Sequence, residues 1–175
     1  MEPCGNIYLV GMMGAGKTTV GRLLAKHFGR RFVDADHEIE ARTGVRIPTI
    51  FEIEGEPGFR RRESQVIAEL AREEGLVLAT GGGVVLDPAN REVLKQTGLV
   101  IYLNALPAML YERTRHDRNR PLLQVPDPLG KITELFALRD PLYRETAHLV
   151  VDAVAGGVQG LVTKVETEIR SRCEP

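Results

Sequence analysis

Apolar residues in this chain fall into two kinds of run, and the two alternate from one end to the other. Short continuous runs at residues 6–10, 31–34, 76–80, 99–103 and 148–151 are rich in Val, Ile, Leu and Tyr. Runs of that length and composition predict buried strands. Between them, apolar positions recur at helical spacing, as in Val20, Leu23, Leu24 and Phe28. The spacing predicts helices over residues 17–28, 36–43, 48–54, 57–74, 88–97, 106–115, 129–145 and 157–173, with Pro141 a candidate break in the seventh. End signals agree. Asp87-Pro88 puts an acceptor at an N-cap and Pro at the first helical position. Gly29, Gly44 and Gly75 follow helical runs, where a left-handed residue closes the last turn. Strand and helix in strict alternation indicate an α/β fold around a parallel sheet.

Two stretches exceed an ordinary connection. About forty residues separate the second and third strands, more than a simple crossover needs. They carry Thr43-Gly44, Pro48, Gly55 and Pro57-Gly58, which suits a small inserted helical subdomain at residues 36–63. The second stretch, residues 116–127, runs His-Asp-Arg-Asn-Arg-Pro-Leu-Leu-Gln-Val-Pro-Asp. It is polar, proline-rich and basic at its start, as expected of a mobile lid over a site.

Composition narrows the class. The 175 residues suit one domain, 1–175, and 43% hydrophobic content marks it as globular. With 23 basic and 24 acidic residues the net charge is −1, which argues against a general nucleic-acid or membrane-surface binder. No apolar run would span a bilayer, and the N-terminus lacks a signal-peptide pattern. Cys4 and Cys173 have no metal-ligand spacing and make no disulfide framework, which favours a reduced, cytoplasmic setting.

The chemistry is concentrated in Gly11-Met12-Met13-Gly14-Ala15-Gly16-Lys17-Thr18-Thr19, between the first strand and the first helix. This is the G-x-x-x-x-G-K-[ST] pattern in the strand–loop–helix context it requires. Glycines let the backbone curl until its N–H groups face a polyphosphate, and the helix N-terminus adds positive potential. Lys17 supplies a mobile cation and Thr18 a hydroxyl ligand for Mg²⁺. Asp34 and Asp36 end the second strand, on the edge where a parallel sheet binds ligands. The third and fourth strands end in Thr80-Gly81 and Leu103-Asn104, without a carboxylate, so Asp34 is the best remaining metal partner. Asp36 reads equally as an N-cap for the next helix. Gly81, Gly82 and Gly83 strip every Cβ from another strand end and allow close approach of a substrate. Of the arginines at 60, 61 and 62, not all can face one site, since successive helical residues point about 100° apart.

Taken in order, these pieces resemble the shikimate kinases of the nucleoside monophosphate kinase-like group. The resemblance rests on the phosphate loop, Asp34-Ala35-Asp36, Arg42-Thr43-Gly44, Phe59-Arg60-Arg61-Arg62-Glu63, Gly81-Gly82-Gly83, Arg120-Pro121-Leu122-Leu123 and Arg139-Asp140-Pro141-Leu142-Tyr143. It implies a three-layer P-loop kinase fold with a central five-stranded parallel sheet and helices on both faces. The inserted subdomain would bind substrate. It also implies ATP-dependent phosphorylation of the 3-hydroxyl of shikimate, with one Mg²⁺, by a cytoplasmic monomer. ATP would contact Gly14, Ala15, Gly16, Lys17, Thr18, Thr19, Arg113 beside adenine, and Arg120 from the lid. Asp36 would accept a hydrogen bond from the attacking hydroxyl, and Asp34 would help hold the metal. Arg60 and Arg139 would grip the shikimate carboxylate while Gly81, Gly82 and Gly83 line the ring. Lys17, Asp36 and Arg120 would be the catalytic groups. One departure is Asp152-Ala153-Val154-Ala155-Gly156-Gly157, where the family often places Arg or Asn near adenine; only backbone groups remain for that contact. A gluconate kinase shares the loop, but Arg60, the three glycines and Arg139 in these contexts favour shikimate. A GTP-binding switch would need an Asn-Lys-x-Asp motif, and there is none.

Overall fold

The computed structural model describes residues 5–153 and 157–173. Five parallel strands form one sheet: β1 (Asn6–Val10), β2 (Arg31–Asp34), β3 (Leu76–Ala79), β4 (Gly98–Asn104) and β5 (Leu149–Asp152), in the order β2-β3-β1-β4-β5. β1 and β3 are buried along their whole length, as befits central strands covered on both faces. Asn6 locks their common start. Its side chain donates to the Glu73 carbonyl at 2.8 Å and accepts from the Leu76 N–H at 2.9 Å.

The helices are α1 (Lys17–Phe28), α2 (Ala35–Thr43), α3 (Ile47–Leu70), α4 (Pro88–Thr97), α5 (Pro107–Thr114), α6 (Pro128–Thr146) and α7 (Gly157–Cys173). α1 buries Val20, Leu24 and Ala25. It approaches β2 closely because position 21 is glycine; a Cβ there would lie 2.7 Å from the Phe32 ring. With α7 beside α1, α4 and α6 on β4, and α5 against α6, the result is the three-layer arrangement of P-loop kinases. None of the helices among the described residues is long and apolar enough to cross a membrane.

The helices expected at 48–54 and 57–74 are both present, as the two limbs of α3 that meet at a kink where Gly55 leaves helical geometry at φ 70°. Three local expectations are corrected. α3 ends at Leu70, so Gly75, at φ 72°, shapes the turn into β3 rather than closing a helix. α6 runs unbroken through Pro141. Tertiary anchoring outweighs the lost backbone bond: Arg139 and Tyr143 are buried on either side, and Asp140 accepts a 2.7 Å hydrogen bond from Tyr102. Cys173, at the end of α7, is disulfide-bonded, against the expectation of unlinked thiols; Cys4 lies outside the described residues.

All carboxyl ends of the strands share one edge. β1 delivers the loop of residues 11–16, β2 delivers Asp34 with Asp36 two residues on, and β3 delivers Thr80 and the three glycines. α2 and α3 fill the long connection after β2, and residues 115–127 bridge α5 and α6 above the same edge with one short turn at Pro121–Leu123.

Candidate active site

The loop after β1 is held open by left-handed glycines. Gly11, Gly14 and Gly16 have φ of 146°, 81° and 100°. A Cβ on Gly11 would also lie 2.6 Å from the Leu103 carbonyl oxygen, so both conformation and space require glycine there. Lys17 is almost wholly buried, and its Nζ donates to the carbonyls of Gly11 at 2.6 Å and Met12 at 2.8 Å. Burial, and then the nearby Arg120 charge, lower its pKa to about 7. The ammonium therefore lacks a full counter-charge, which a polyphosphate would supply.

Asp34, not Asp36, caps α2. Its Oδ1 accepts from the His37 N–H at 3.1 Å. Its Oδ2 accepts a 2.6 Å hydrogen bond from the Thr18 hydroxyl. A capped helix leaves Asp36 free in the first turn, so the N-cap alternative for Asp36 is set aside. Asp36 Oδ1 is buried without a hydrogen-bond partner. Burial, reinforced by the Asp34 charge, raises the Asp36 pKa. Arg120 reaches in from the segment between α5 and α6, with Nη1 3.9 Å from Asp36 Oδ2 and Nε donating to Asp117 at 3.1 Å. The adjacent Asn119 accepts from Arg46, at the start of α3, at 3.1 Å. The segment thus touches the α2–α3 unit.

Two cavities meet here. A basin of about 540 Å³ is lined by Gly14, Gly16, Lys17, Thr18, Thr19 and Arg113, among others. Arg113 also donates to the Gly14 carbonyl at 3.0 Å. Ala15, between two of the lining glycines, is buried in the loop and does not line the basin. A narrower cleft of about 50 Å³ lies beside it, walled by Arg60, Glu63, Arg139, Phe59 and the three glycines. Asp36, Arg120, Gly81 and Gly82 line both. The basin sets Lys17, Arg22, Arg113 and Arg120 among the carboxylates of Asp34, Asp36, Glu40 and Asp117, and the cleft brings together guanidinium groups from α3 and α6. The Asp36 carboxylate and Arg120 stand at their junction. Such an arrangement suits transfer of an anionic group from one small molecule to another that carries its own anion.

Comparison with known proteins agrees. The family model "Shikimate kinase" matches residues 13–170. A shikimate kinase of Aromatoleum aromaticum is 65% identical over 94% of this chain and 94% of its own length. One of Thiobacillus denitrificans is 67% identical over 92% of this chain and 88% of its own. The chain belongs to the shikimate kinase family. Among solved structures, an Acinetobacter baumannii shikimate kinase in complex with shikimate superposes with a TM-score of 0.94. It is 54% identical and covers 95% of this chain and 93% of that one. Shikimate kinases are ATP-dependent phosphotransferases, and this chain is one by both sequence and fold.

Two groups of this shikimate kinase, Glu63 in the cleft wall and Tyr143 behind it, were not assigned from sequence. Glu63 is 1% exposed. Its Oε1 accepts from Arg60 Nη1 at 2.9 Å, and its Oε2 has no partner. Burial raises its pKa to about 7 against the opposing pull of Arg60. Burial would lower the Arg60 pKa, but Glu63 and Glu56 together leave it raised. The three-residue offset of Arg60 and Glu63 on a helix was the available signal for this pair. Tyr143, fully buried, donates from its hydroxyl to the Gly82 carbonyl. The adenine contact was expected from the stretch 152–157 after β5, of which residues 154–156 lie outside the described residues.

Proposed function

We propose that the two cavities hold ATP and shikimate respectively, and that the γ-phosphoryl group crosses at their junction to the 3-hydroxyl of shikimate. The observation that carries this reading is Asp36, whose buried, unpartnered oxygen stands where the basin and the arginine-walled cleft meet. The loop N–H groups and Lys17 bind the ATP phosphates, and Lys17 gains the counter-charge it lacks. Arg60 and Arg139 hold the shikimate carboxylate by paired N–H···O bonds, and the glycines let the ring sit against backbone. Asp36 accepts the hydrogen bond of the attacking hydroxyl and takes its proton as the oxygen–phosphorus bond forms. The bond from the γ-phosphorus to the β-bridging oxygen breaks, and ADP leaves. Arg120 meets the charge spread over the transferring group.

Thr18 and Asp34 fit one Mg²⁺. They offer a hydroxyl and a carboxylate 2.6 Å apart at the phosphate loop, hard oxygens of the kind that would hold such an ion. When bound, Mg²⁺ neutralises phosphate charge.

Residues 36–63 serve as the substrate-binding insertion and residues 116–127 as a lid, which excludes water from the γ-phosphate. We read the enzyme as a monomer acting on two small molecules, with no nucleic-acid or membrane partner; the disulfide at Cys173 removes the argument from reduced thiols for a cytoplasmic setting. A coupled assay of ADP release with shikimate, gluconate or no acceptor tests the reading. Release is expected with shikimate alone. Equal release with gluconate would overturn the acceptor assignment.

A further inference from the structure

The segment between α5 and α6 adds a carboxylate, Asp117, to the wall of the phosphate basin. A carboxylate beside a polyphosphate repels it, so its presence there calls for a compensating use. The two oxygens of Asp117 have separate tasks. Oδ1 accepts from the Asn119 N–H at 2.8 Å and closes the turn, while Oδ2 accepts from Arg120 Nε at 3.1 Å. The second bond takes the one guanidinium N–H that does not belong to the terminal nitrogens. Arg120 Nη1 stops 3.9 Å from Asp36 Oδ2, beyond hydrogen-bond length. The head of Arg120 is therefore held from its side, with its terminal nitrogens uncommitted near the junction of basin and cleft.

We propose that Asp117 is a positioning residue for phosphoryl transfer, fixing the Arg120 guanidinium so that its terminal N–H groups face the transferring group. This rests on the reading of Arg120 as the cation that meets that group. A guanidinium is planar, so a bond at Nε sets the direction of the whole fork. A donor stabilises developing charge well only if it stands in place before the charge appears. The Arg120 side chain could otherwise turn about several bonds and would have to be ordered in every catalytic cycle.

Asp117 has a fixed reference of its own. Its N–H donates to the Thr114 carbonyl at the end of α5 at 3.0 Å. The Gln124 amide donates to the carbonyls of Asp117 and Arg120 at 3.2 and 3.3 Å. α5 is tied in turn to the phosphate loop, where Arg113 donates to the Gly14 carbonyl at 3.0 Å. A line of hydrogen bonds and short backbone steps thus runs from the phosphate cradle through Asp117 to Arg120. The two side chains are each 37% exposed, so their ion pair adds little to stability, and its use is orientation.

Asp117→Asn tests this. Asparagine has one acceptor oxygen in place of two, and when the turn takes it, a donor NH2 is left against Arg120 Nε. Transfer from MgATP to shikimate in a single turnover, read by rapid quench, should slow about five- to twentyfold. The KM values for ATP and shikimate should stay within about threefold, and the Tm within about 2 °C. Charge alone predicts the opposite sign, since removing a negative group beside the phosphates would tighten ATP and leave transfer as fast or faster. In an Arg120→Ala background, with no guanidinium left to place, the same substitution should cost under about twofold. Asp117→Ser, whose short hydroxyl can close the turn but falls a bond short of Arg120, should reproduce the loss.

A folded Asp117→Asn enzyme that transfers as fast as the parent overturns the proposal. So does a loss of equal size in the Arg120→Ala background. Failure of both Asp117 variants to fold would make the residue structural and overturn it as well. An Arg120→Ala enzyme of undiminished transfer would instead remove the role of Arg120, and with it the premise. Absence of transfer to shikimate by the unsubstituted enzyme would refute the underlying reading before any variant is compared.

Discussion

Replacing Glu63 by glutamine should change how stability depends on pH, and the direction follows from its surroundings. The carboxyl is 1% exposed, with one oxygen on Arg60 and the other unpartnered. Its pKa is displaced from the ordinary 4.5 to about 7, mainly by burial. The folded state therefore keeps this proton over a range in which the unfolded chain has released it. Stability from this group is fully present below about pH 4.5, declines as pH rises towards 7, and is flat beyond. At 1.36 kcal/mol per pH unit, the decline amounts to about 3 kcal/mol. Glutamine at 63 cannot titrate, and it preserves volume and an acceptor for Arg60. Urea unfolding of the ligand-free enzyme and of Glu63→Gln, from pH 4.5 to 8.5, gives the difference directly. The variant should gain about 2–4 kcal/mol on the parent across that interval, most of it between pH 5 and 7. Curves that run parallel across the whole range would refute the reasoning and mean that solvent or a second cation stabilises the charge.

Lys17→Met should lower turnover at least about a hundredfold with folding intact, since it removes a cation beside the transferring group. The parent, whose Lys17 pKa lies near 7 without ligand, should also take up part of a proton on binding MgATP at pH 8, whereas the variant should not; calorimetry in buffers of different ionisation heat reads this. Asp36→Asn should collapse turnover while shikimate still binds, and because Asp34 supplies the α2 cap, thermal stability should not fall with it. Full turnover in this variant would remove Asp36 from the mechanism. Gly83→Ala places a methyl group into the Arg60 guanidinium, although Gly83 has φ −96° and ψ 7° and so suffers no backbone strain. The shikimate KM should rise about 10–100-fold while the ATP KM holds, and an unchanged shikimate KM would show that Arg60 relaxes without loss.

What the sequence made readable was local. The phosphate loop, its strand and its helix are contiguous, so periodicity and glycine spacing were sufficient. Asp34 and Asp36 were legible as a pair, but their division of labour was not. Which of the two caps α2 depends on where β2 stops, and that is set by pairing with β3 through Asp34 and Ala79. Pro141 argued for a break on propensity alone, and packing around Arg139 and Tyr143 overruled it. The convergence of Arg60 and Arg139 could be drawn only from family likeness, because some eighty residues and a sheet crossover separate them. Glu63 and Tyr143 were visible within their motifs, yet a buried acid and a buried phenol have no signature until the elements that enclose them are assembled.

Asp34 joins two parts of this enzyme that could otherwise vary separately. One of its oxygens starts the helix that carries Asp36, and the other holds the hydroxyl that belongs to the phosphate loop. On the proposed reading, a substitution here that altered metal binding would shift Asp36 in the same step, and a movement of α2 that suited a new acceptor would disturb the nucleotide side as well. Innovation in this scaffold is therefore expected to begin elsewhere, at the arginines and the lid, where one ligand can be traded for another without reopening the question of how the first is held.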